Sequence, residues 1–217
     1  MGLPVFLVQF SGLRQIIAIA ITIFSMKYVE DKKIIPFLLA IWIATFFHKT
    51  AIIFLVAYPM YHIRLNDLWK LLCTLFIPFV YFLRQPLFEV LSKLFKEEAT
   101  VQDTGALTLF LVFIAVYIYL IFLNKECDEN QNGMINLFYL ACLCQAFGGV
   151  YDTAMRVGYY FMPYLMIAIP NTITKNKDKQ EYQTNYVIVL LAFLAYGIYA
   201  IKTSTWEMAY PYYFFWE

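Results

Sequence analysis

The sequence predicts an all-α fold, a polytopic integral membrane bundle of about six spans plus a re-entrant or broken helical hairpin. Of its 217 residues, 62% are hydrophobic and only 14% are charged, whereas soluble domains have about 45–50% apolar and about 25% charged residues. The mean hydropathy is +0.65. The net charge of +1 creates no field that would attract nucleic acid. We therefore expect a single transmembrane domain over residues 1–217, with the lipid bilayer as its partner.

The spans are predicted from apolar runs close to the roughly 20 residues that cross a bilayer as a helix. The first carries a stripe of small or polar residues, which is typical of close helix packing. The fourth and fifth are separated by "GGVYD", a tight turn with two glycines. In chain order the predicted spans are 5–27, 68–88, 105–123, 134–150, 154–172 and 184–203.

Segment 34–62 is too long for one comfortable span and too short for two, and it has His48 and Lys49 at its middle. If it crosses once, the basic loop residues divide almost evenly between the two sides. If it returns to the side from which it entered, that side has a clear excess of lysine and arginine, as cytoplasmic loops usually have. We therefore predict a hairpin, which must be enclosed by protein or water because its backbone turns at membrane depth. The cytoplasmic group is then Lys27, Lys32, Lys33, Arg64, Lys70, Lys125, Lys175, Lys177 and Lys179.

This topology brings three separate cationic stretches to the outer half of the membrane: Arg14, the pair His48 and Lys49, and Arg156. An arginine at membrane depth costs about 2.5–3.5 kcal/mol on insertion scales. Simpler explanations stay open. Arg14 and Lys49 can extend to the interface, His48 can merely bond a neighbouring helix, and Asp152 can neutralise Arg156 four residues later.

The functional alternative is an anion site. Guanidinium groups bind phosphate through paired, charge-assisted hydrogen bonds, so Arg14 and Arg156 are predicted to clamp a diphosphate, with Arg84 as a weaker contributor. Tyr160 is placed on the helix face of Arg156, where its ring can stack on a sugar or simply belong to an interfacial aromatic belt. Lys49 is a further possible anion contact.

His48 is the candidate base. Imidazole titrates near pH 6.5 and can take a proton from a hydroxyl, and the hydroxyls of Thr45 and Thr50 are placed to orient the ring. No Asp-x-Asp pair or carboxylate cluster lies near these cations, so neither a metal nor a cofactor is expected. The predicted reaction is glycosyl transfer from a lipid diphosphate, whose charge the arginines neutralise as it leaves.

The sequence resembles the EpsG/Wzy group of bacterial polysaccharide polymerases. The likeness lies in "SGLRQIIAIAI" at 11–21, "ATFFHKTAIIFL" at 44–55, "RVGYYFMPY" at 156–164 and the closing "YPYYFF" at 210–215. Members usually have several further membrane helices before the "GLRQ" stretch, so the chain looks like the C-terminal portion of the family pattern.

The resemblance implies a multi-pass glycosyltransferase of the bacterial inner membrane. It would join undecaprenyl-diphosphate-linked oligosaccharide repeat units into exopolysaccharide or O-antigen, beside the flippase and the chain-length regulator of the same pathway. It assigns the diphosphate to Arg14 and Arg156 and matches His48 to the histidine motif of the family. Two alternatives stay open: a transporter or flippase for lipid-linked sugars, and an inactive remnant of the polymerase.

Overall fold

The structure, a computed structural model, describes residues 12–95, 106–124, 129–175 and 179–203, and every regular element in these ranges is helical. The all-α prediction is confirmed for this part of the chain. Residues 5–11 of the first predicted span and the closing stretch 210–215 lie outside it. The helices are α1 Leu13–Glu30, α2 Ile34–Phe47, a 3₁₀ helix Lys49–Val56, α3 Ala57–His62, α4 Asp67–Phe82, α5 Arg84–Phe95, α6 Ala106–Leu123, α7 Glu129–Ala146, α8 Asp152–Gly158, α9 Pro163–Thr174 and α10 Lys179–Thr203.

α1 packs mainly against α2, and its predicted small and polar stripe is the buried face: Gln15, Ala18, Thr22 and Ser25 are all buried. The Thr22 hydroxyl donates to the backbone oxygen of Ile19 at 2.8 Å, and the Ser25 hydroxyl donates to that of Thr22 at 2.7 Å. Burial therefore leaves neither hydroxyl unpaired, and the small side chains allow the two helices to approach closely.

The reversal between α1 and α2 is a Schellman turn. Lys32 takes the left-handed conformation, with φ 57°. The Lys33 amide donates to the oxygen of Tyr28 at 2.7 Å, and the Lys32 amide donates to that of Val29 at 3.0 Å. These two bonds satisfy carbonyls that the end of a helix leaves free, and they direct α2 back along α1.

Segment 34–62 has its predicted break at His48. α2 ends one residue earlier, and His48 is extended, with φ −150° and ψ 116°. The 3₁₀ helix and α3 then return beside α2, because the Phe37 ring lies 6.3 Å from that of Phe54 and 5.5 Å from that of Tyr58. The segment is therefore a broken hairpin with His48 at its tip.

Both ends of the hairpin lie beside the C-terminal end of α1. The Tyr61 hydroxyl, near the end of the returning limb, donates to a carboxylate oxygen of Glu30 at 3.5 Å. Arg64, just beyond the hairpin, forms an exposed ion pair with Glu129 at the start of α7. This end of the molecule is called the Glu30 end below, and the opposite end, which carries His48, is called the His48 end.

α7 is the central helix, since it packs against α3, α4, α6, α8 and α9. The Asn136 side chain donates to the backbone oxygens of Met60 and Ile63, at 3.0 and 2.8 Å. The buried Gln131 amide donates to the oxygen of Ala168 at 2.7 Å. These hydrogen bonds fix α3 and α9 against α7.

Two predicted spans are not continuous helices. The segment predicted at 68–88 is bent by 74° at Leu83, and the one predicted at 154–172 is interrupted by a turn over 159–162. Proline contributes at both breaks, because Pro86 has no amide hydrogen for the oxygen of Phe82 and Pro163 has none for that of Tyr159. Proline alone does not end a helix here, since Pro78 and Pro170 lie inside α4 and α9. The spans predicted at 68–88 and 154–172 are therefore broken helices in the structure.

The prediction of about six spans is not confirmed in the described ranges. Gln180–Tyr199, within α10, is the one helix there that is both long and apolar enough to cross a membrane. The bent pair Leu68–Phe82 and Arg84–Val90 would count as a second if it forms one span, while Ile34–Phe47 and Leu107–Leu123 are shorter apolar helices. The hydrophobic segments are present, but breaks shorten several of them.

Candidate functional site

The first turn of α1, the hairpin tip and α8 lie at the same end of the molecule. Arg14 stands 16 residues before Glu30, or about 24 Å along the helix at about 1.5 Å per residue. His48 stands 14 residues after Ile34, or about 21 Å by the same rise. Because α1 and α2 meet at the Glu30 end, Arg14 and His48 lie at similar distances from it and therefore share the His48 end of the molecule.

Gln15 joins the first cationic stretch to the third. Its side-chain amide donates to the backbone oxygen of Arg156 at 2.7 Å, and Gln15 itself is only 5% exposed. One glutamine side chain therefore spans the distance between the backbones of α1 and α8. Gln15 is the neighbour of Arg14 in the chain, and its partner is the backbone of Arg156, so the bond brings together the segments that carry the two predicted anion contacts. Gln15 was expected only as part of a packing stripe.

Arg14 and Arg156 are both exposed, although the backbone that carries each is held in the bundle. The charge of Arg156 is close enough to interact electrostatically with the His48 ring. The Asp152 side chain lies outside the described positions, so its pairing with Arg156 stays an open alternative. The described groups around His48 thus provide positive charge, which favours an anionic ligand.

His48 is half-buried and held through one ring nitrogen. Its Nδ1 lies 2.7 Å from the hydroxyl oxygen of Thr50, which lies 3.3 Å from the hydroxyl oxygen of Tyr160. Of the two threonines predicted to orient the ring, Thr50 is the one in contact. Thr45 instead donates to the backbone oxygen of Trp42 at 2.6 Å.

Tyr160 occupies a different position from the one predicted. α8 ends at Gly158, so Tyr160 lies in the following turn and does not share a helix face with Arg156. Its ring is 0% exposed and offers no free face for a sugar in this conformation, while its hydroxyl reaches Thr50. The turn is held by Phe54, whose ring stacks on those of Phe161 and Tyr164, with centroids 5.5 and 6.0 Å apart.

The sequence matches the model of the EpsG family over residues 1–214 of 217. The chain belongs to the EpsG family. No curated protein and no solved structure is similar enough to count as a match. Membership links this EpsG-family chain to polysaccharide biosynthesis, and together with its apolar helices it indicates a membrane protein.

The remaining predicted residues flank this centre. Lys49 is exposed at the start of the 3₁₀ helix, next to His48. Arg84 is half-buried at the elbow between α4 and α5, with its guanidinium 4.0 Å from the centre of the Tyr81 ring. The elbow reaches the α7–α8 turn through Phe88 and Tyr151, whose ring centroids are 4.9 Å apart. Arg84 is therefore at the His48 end, held against an aromatic ring.

That α7–α8 turn depends on one glycine, Gly149, which adopts φ 81°, a conformation that glycine takes without steric cost. The second histidine, His62, lies at the Glu30 end of the hairpin, with its ring 5.3 Å from that of Tyr58. Within the described ranges, no three His, Cys, Asp or Glu residues are placed to hold a metal ion.

Proposed function

We propose that this EpsG-family chain is a multi-pass glycosyltransferase of the bacterial cell membrane. In this proposal it forms one transmembrane domain and polymerises undecaprenyl-diphosphate-linked oligosaccharide units on the extracytoplasmic face. The observation that supports it most directly is the hydrogen bond from Gln15 to the backbone of Arg156, since it joins two distant basic motifs beside His48. The flippase and the chain-length regulator of the pathway are proposed partners.

In the proposed reaction, the exposed Arg14 and Arg156 bind the diphosphate of the donor, and Lys49 adds a third positive charge beside them. Charge-assisted hydrogen bonds from guanidinium are about twice as strong as neutral ones. They become stronger still as negative charge develops on the leaving diphosphate. The arginines therefore favour breaking of the bond between the anomeric carbon and the diphosphate oxygen, which leaves with the electron pair.

His48 acts on the acceptor. As the sugar hydroxyl oxygen bonds to the anomeric carbon, a ring nitrogen of His48 takes the hydroxyl proton, which later passes to solvent or to the departing diphosphate. A positioned general base contributes about 10²–10⁴-fold to such a reaction. The positive charge of Arg156 near the ring is offset once the donor diphosphate is bound.

The test is expression of the chain in a strain that lacks its own polymerase, followed by measurement of polysaccharide length. We expect long chains from the natural sequence and only single repeat units from His48→Gln, because glutamine can hydrogen-bond but cannot accept the proton. The matched control is His62→Gln, which changes the other histidine of the chain at the opposite end of the hairpin. Long chains from a His48→Gln protein present at normal level would remove His48 as the base.

A transporter of lipid-linked sugars is the second candidate. It is favoured by the broken helix at His48, because discontinuous helices commonly form the substrate sites of transporters. The same strain separates the two functions, since a transporter moves its substrate without lengthening the glycan.

A further inference from the structure

We infer that Thr50, supported by Tyr160, is a positioning residue that holds His48 in the tautomer protonated at Nδ1, so that Nε2 takes the proton of the acceptor hydroxyl. This inference rests on the proposed function, because it assigns the reacting atom of the proposed base. It also makes a claim about the resting protein that can be measured without any polymerase activity.

The geometry leaves two possible sets of hydrogen-bond directions among His48, Thr50 and Tyr160. The Thr50 hydroxyl has a single hydrogen, and its oxygen lies between Nδ1 of His48, at 2.7 Å, and the hydroxyl oxygen of Tyr160, at 3.3 Å. In one order, Tyr160 donates to Thr50, and Thr50 donates to Nδ1. In the other, Nδ1–H donates to Thr50, and Thr50 donates to Tyr160.

Only the second arrangement of donors and acceptors leaves His48 able to act as a base. In the first, Nδ1 is occupied by the Thr50 proton and Nε2 carries a proton of its own, so neither ring nitrogen is free to accept. In the second, the lone pair of Nε2 is free, and Nδ1 makes the only hydrogen bond of the ring within the described residues. After Nε2 accepts a proton both ring nitrogens donate, so the second order also persists through the reaction without rotation of either hydroxyl.

The support for Thr50 is rigid. Tyr160 is fully buried, and its turn is fixed by the stacking of Phe161 and Tyr164 on Phe54. Phe54 itself belongs to the 3₁₀ helix that carries Thr50. The two hydroxyls are thus held by the same aromatic contact, which keeps the acceptor for Thr50 in place. Imidazole in water favours the opposite tautomer, so the protein must supply this bias.

The direct experiment is ¹⁵N NMR of the full chain in lipid nanodiscs, with labelled histidine and with His62→Gln so that His48 is the one histidine observed. At alkaline pH we expect a protonated-type shift for Nδ1 and an unprotonated-type shift for Nε2. Thr50→Val should move the signals toward the Nε2-protonated form, Thr50→Ser should preserve them, and Tyr160→Phe should shift them partly. A natural chain protonated at Nε2 would overturn the inference.

Activity gives the second readout. Because a hydrogen bond of this kind biases an equilibrium modestly, Thr50→Val should lower kcat roughly 2- to 10-fold with little change in KM, and Thr50→Ser should recover most of it. Thr45→Val is the matched control, since Thr45 bonds its own helix. An equal loss in the serine and valine variants contradicts a positioning role. If the natural chain makes no polymer and yet shows the Nδ1–H tautomer, the proposed function fails while the role of Thr50 stands.

Discussion

Arg14 and Arg156 differ from the other two arginines of the chain in what surrounds them. Arg64 forms an ion pair with Glu129, and the Arg84 guanidinium lies over the ring of Tyr81. Arg14 and Arg156 are exposed, and neither is paired with an acid among the described side chains, which do not include that of Asp152. In a bilayer such groups need an anion or water to offset their desolvation, which is the physical basis for assigning them to the diphosphate.

This assignment predicts a graded response at Arg156. Lysine keeps the charge but loses the planar pair of donors, so Arg156→Lys should lower kcat/KM by roughly 10-fold. Arg156→Ala should lower it by up to about 100-fold, the range expected for charged hydrogen bonds. Purified protein and a defined lipid-linked donor provide the measurement. Arg64→Ala, at the opposite end, is the control and should leave the rate unchanged. Identical rates for the Arg156→Ala variant and the natural chain would contradict the proposal that Arg156 binds the diphosphate.

The candidate residues differ in how far the sequence reveals them. A pairing of His48 with a nearby threonine is predictable from their closeness in the chain, but the same reasoning also favoured Thr45, which bonds Trp42 instead. The role of Gln15 is not predictable, because its partner is a backbone oxygen 141 residues away, and every residue has such an oxygen. Nor does the sequence reveal that the Tyr160 ring is buried, since this depends on where α8 ends.

At the scale of helices, proline marks several helix starts, although Pro78 and Pro170 lie inside α4 and α9. Pro36, Pro59 and Pro86 are each the third residue of a helix, and Pro163 is the first of α9. These are first-turn positions where a missing amide hydrogen costs nothing. Hydropathy does not mark the break at 159–162, because the residues around it are apolar or aromatic. The hairpin break was predicted from segment length and charge, whereas the breaks at Leu83 and 159–162 had no such signal.

The contact between the hairpin and α7 gives a stability prediction. A Cβ added at Gly133 would lie 2.5 Å from two ring carbons of Tyr61, which is only 4% exposed. Gly133→Ala should therefore destabilise the fold by about 1–3 kcal/mol, as overpacking does. At Gly197 in α10 an added Cβ meets nothing within 4 Å, so Gly197→Ala should be neutral or gain up to about 1 kcal/mol from helix propensity.

Thermal unfolding of both glycine variants in the same detergent provides the measurement, with the natural chain as reference. We expect a lower Tm for Gly133→Ala alone. A Tm for that variant equal to the reference would mean that Tyr61 moves aside easily, and the close packing of α3 on α7 would then not be a major source of stability.

At the scale of the whole molecule, polar contacts gather at the two ends, and the core between them is mainly apolar and aromatic. The Glu30 end includes Lys33, whose hydrogen bond to Asp31 at 2.9 Å raises the pKa of its ammonium group. The opposite end has Gln15, His48 and Thr50. A molecule polar at both ends and apolar between them suits a bilayer, whose hydrocarbon core is about 30 Å thick.

The hairpin decides which end faces the cytoplasm, and this can be measured by labelling single cysteines in a chain whose four natural cysteines are replaced by alanine. Lys33 and Arg64 flank the hairpin, both are exposed, and both should be protected from an impermeant reagent added outside intact cells. Gln85, exposed at the elbow of the His48 end, should react. After permeabilisation, all three should react, which controls for intrinsic reactivity.

A segment that crosses once would put Lys33 and Arg64 on opposite sides, so labelling of only one of them in intact cells would contradict the hairpin topology. Labelling of both with protection of Gln85 would invert the orientation, and would place Arg14, His48 and Arg156 on the cytoplasmic side.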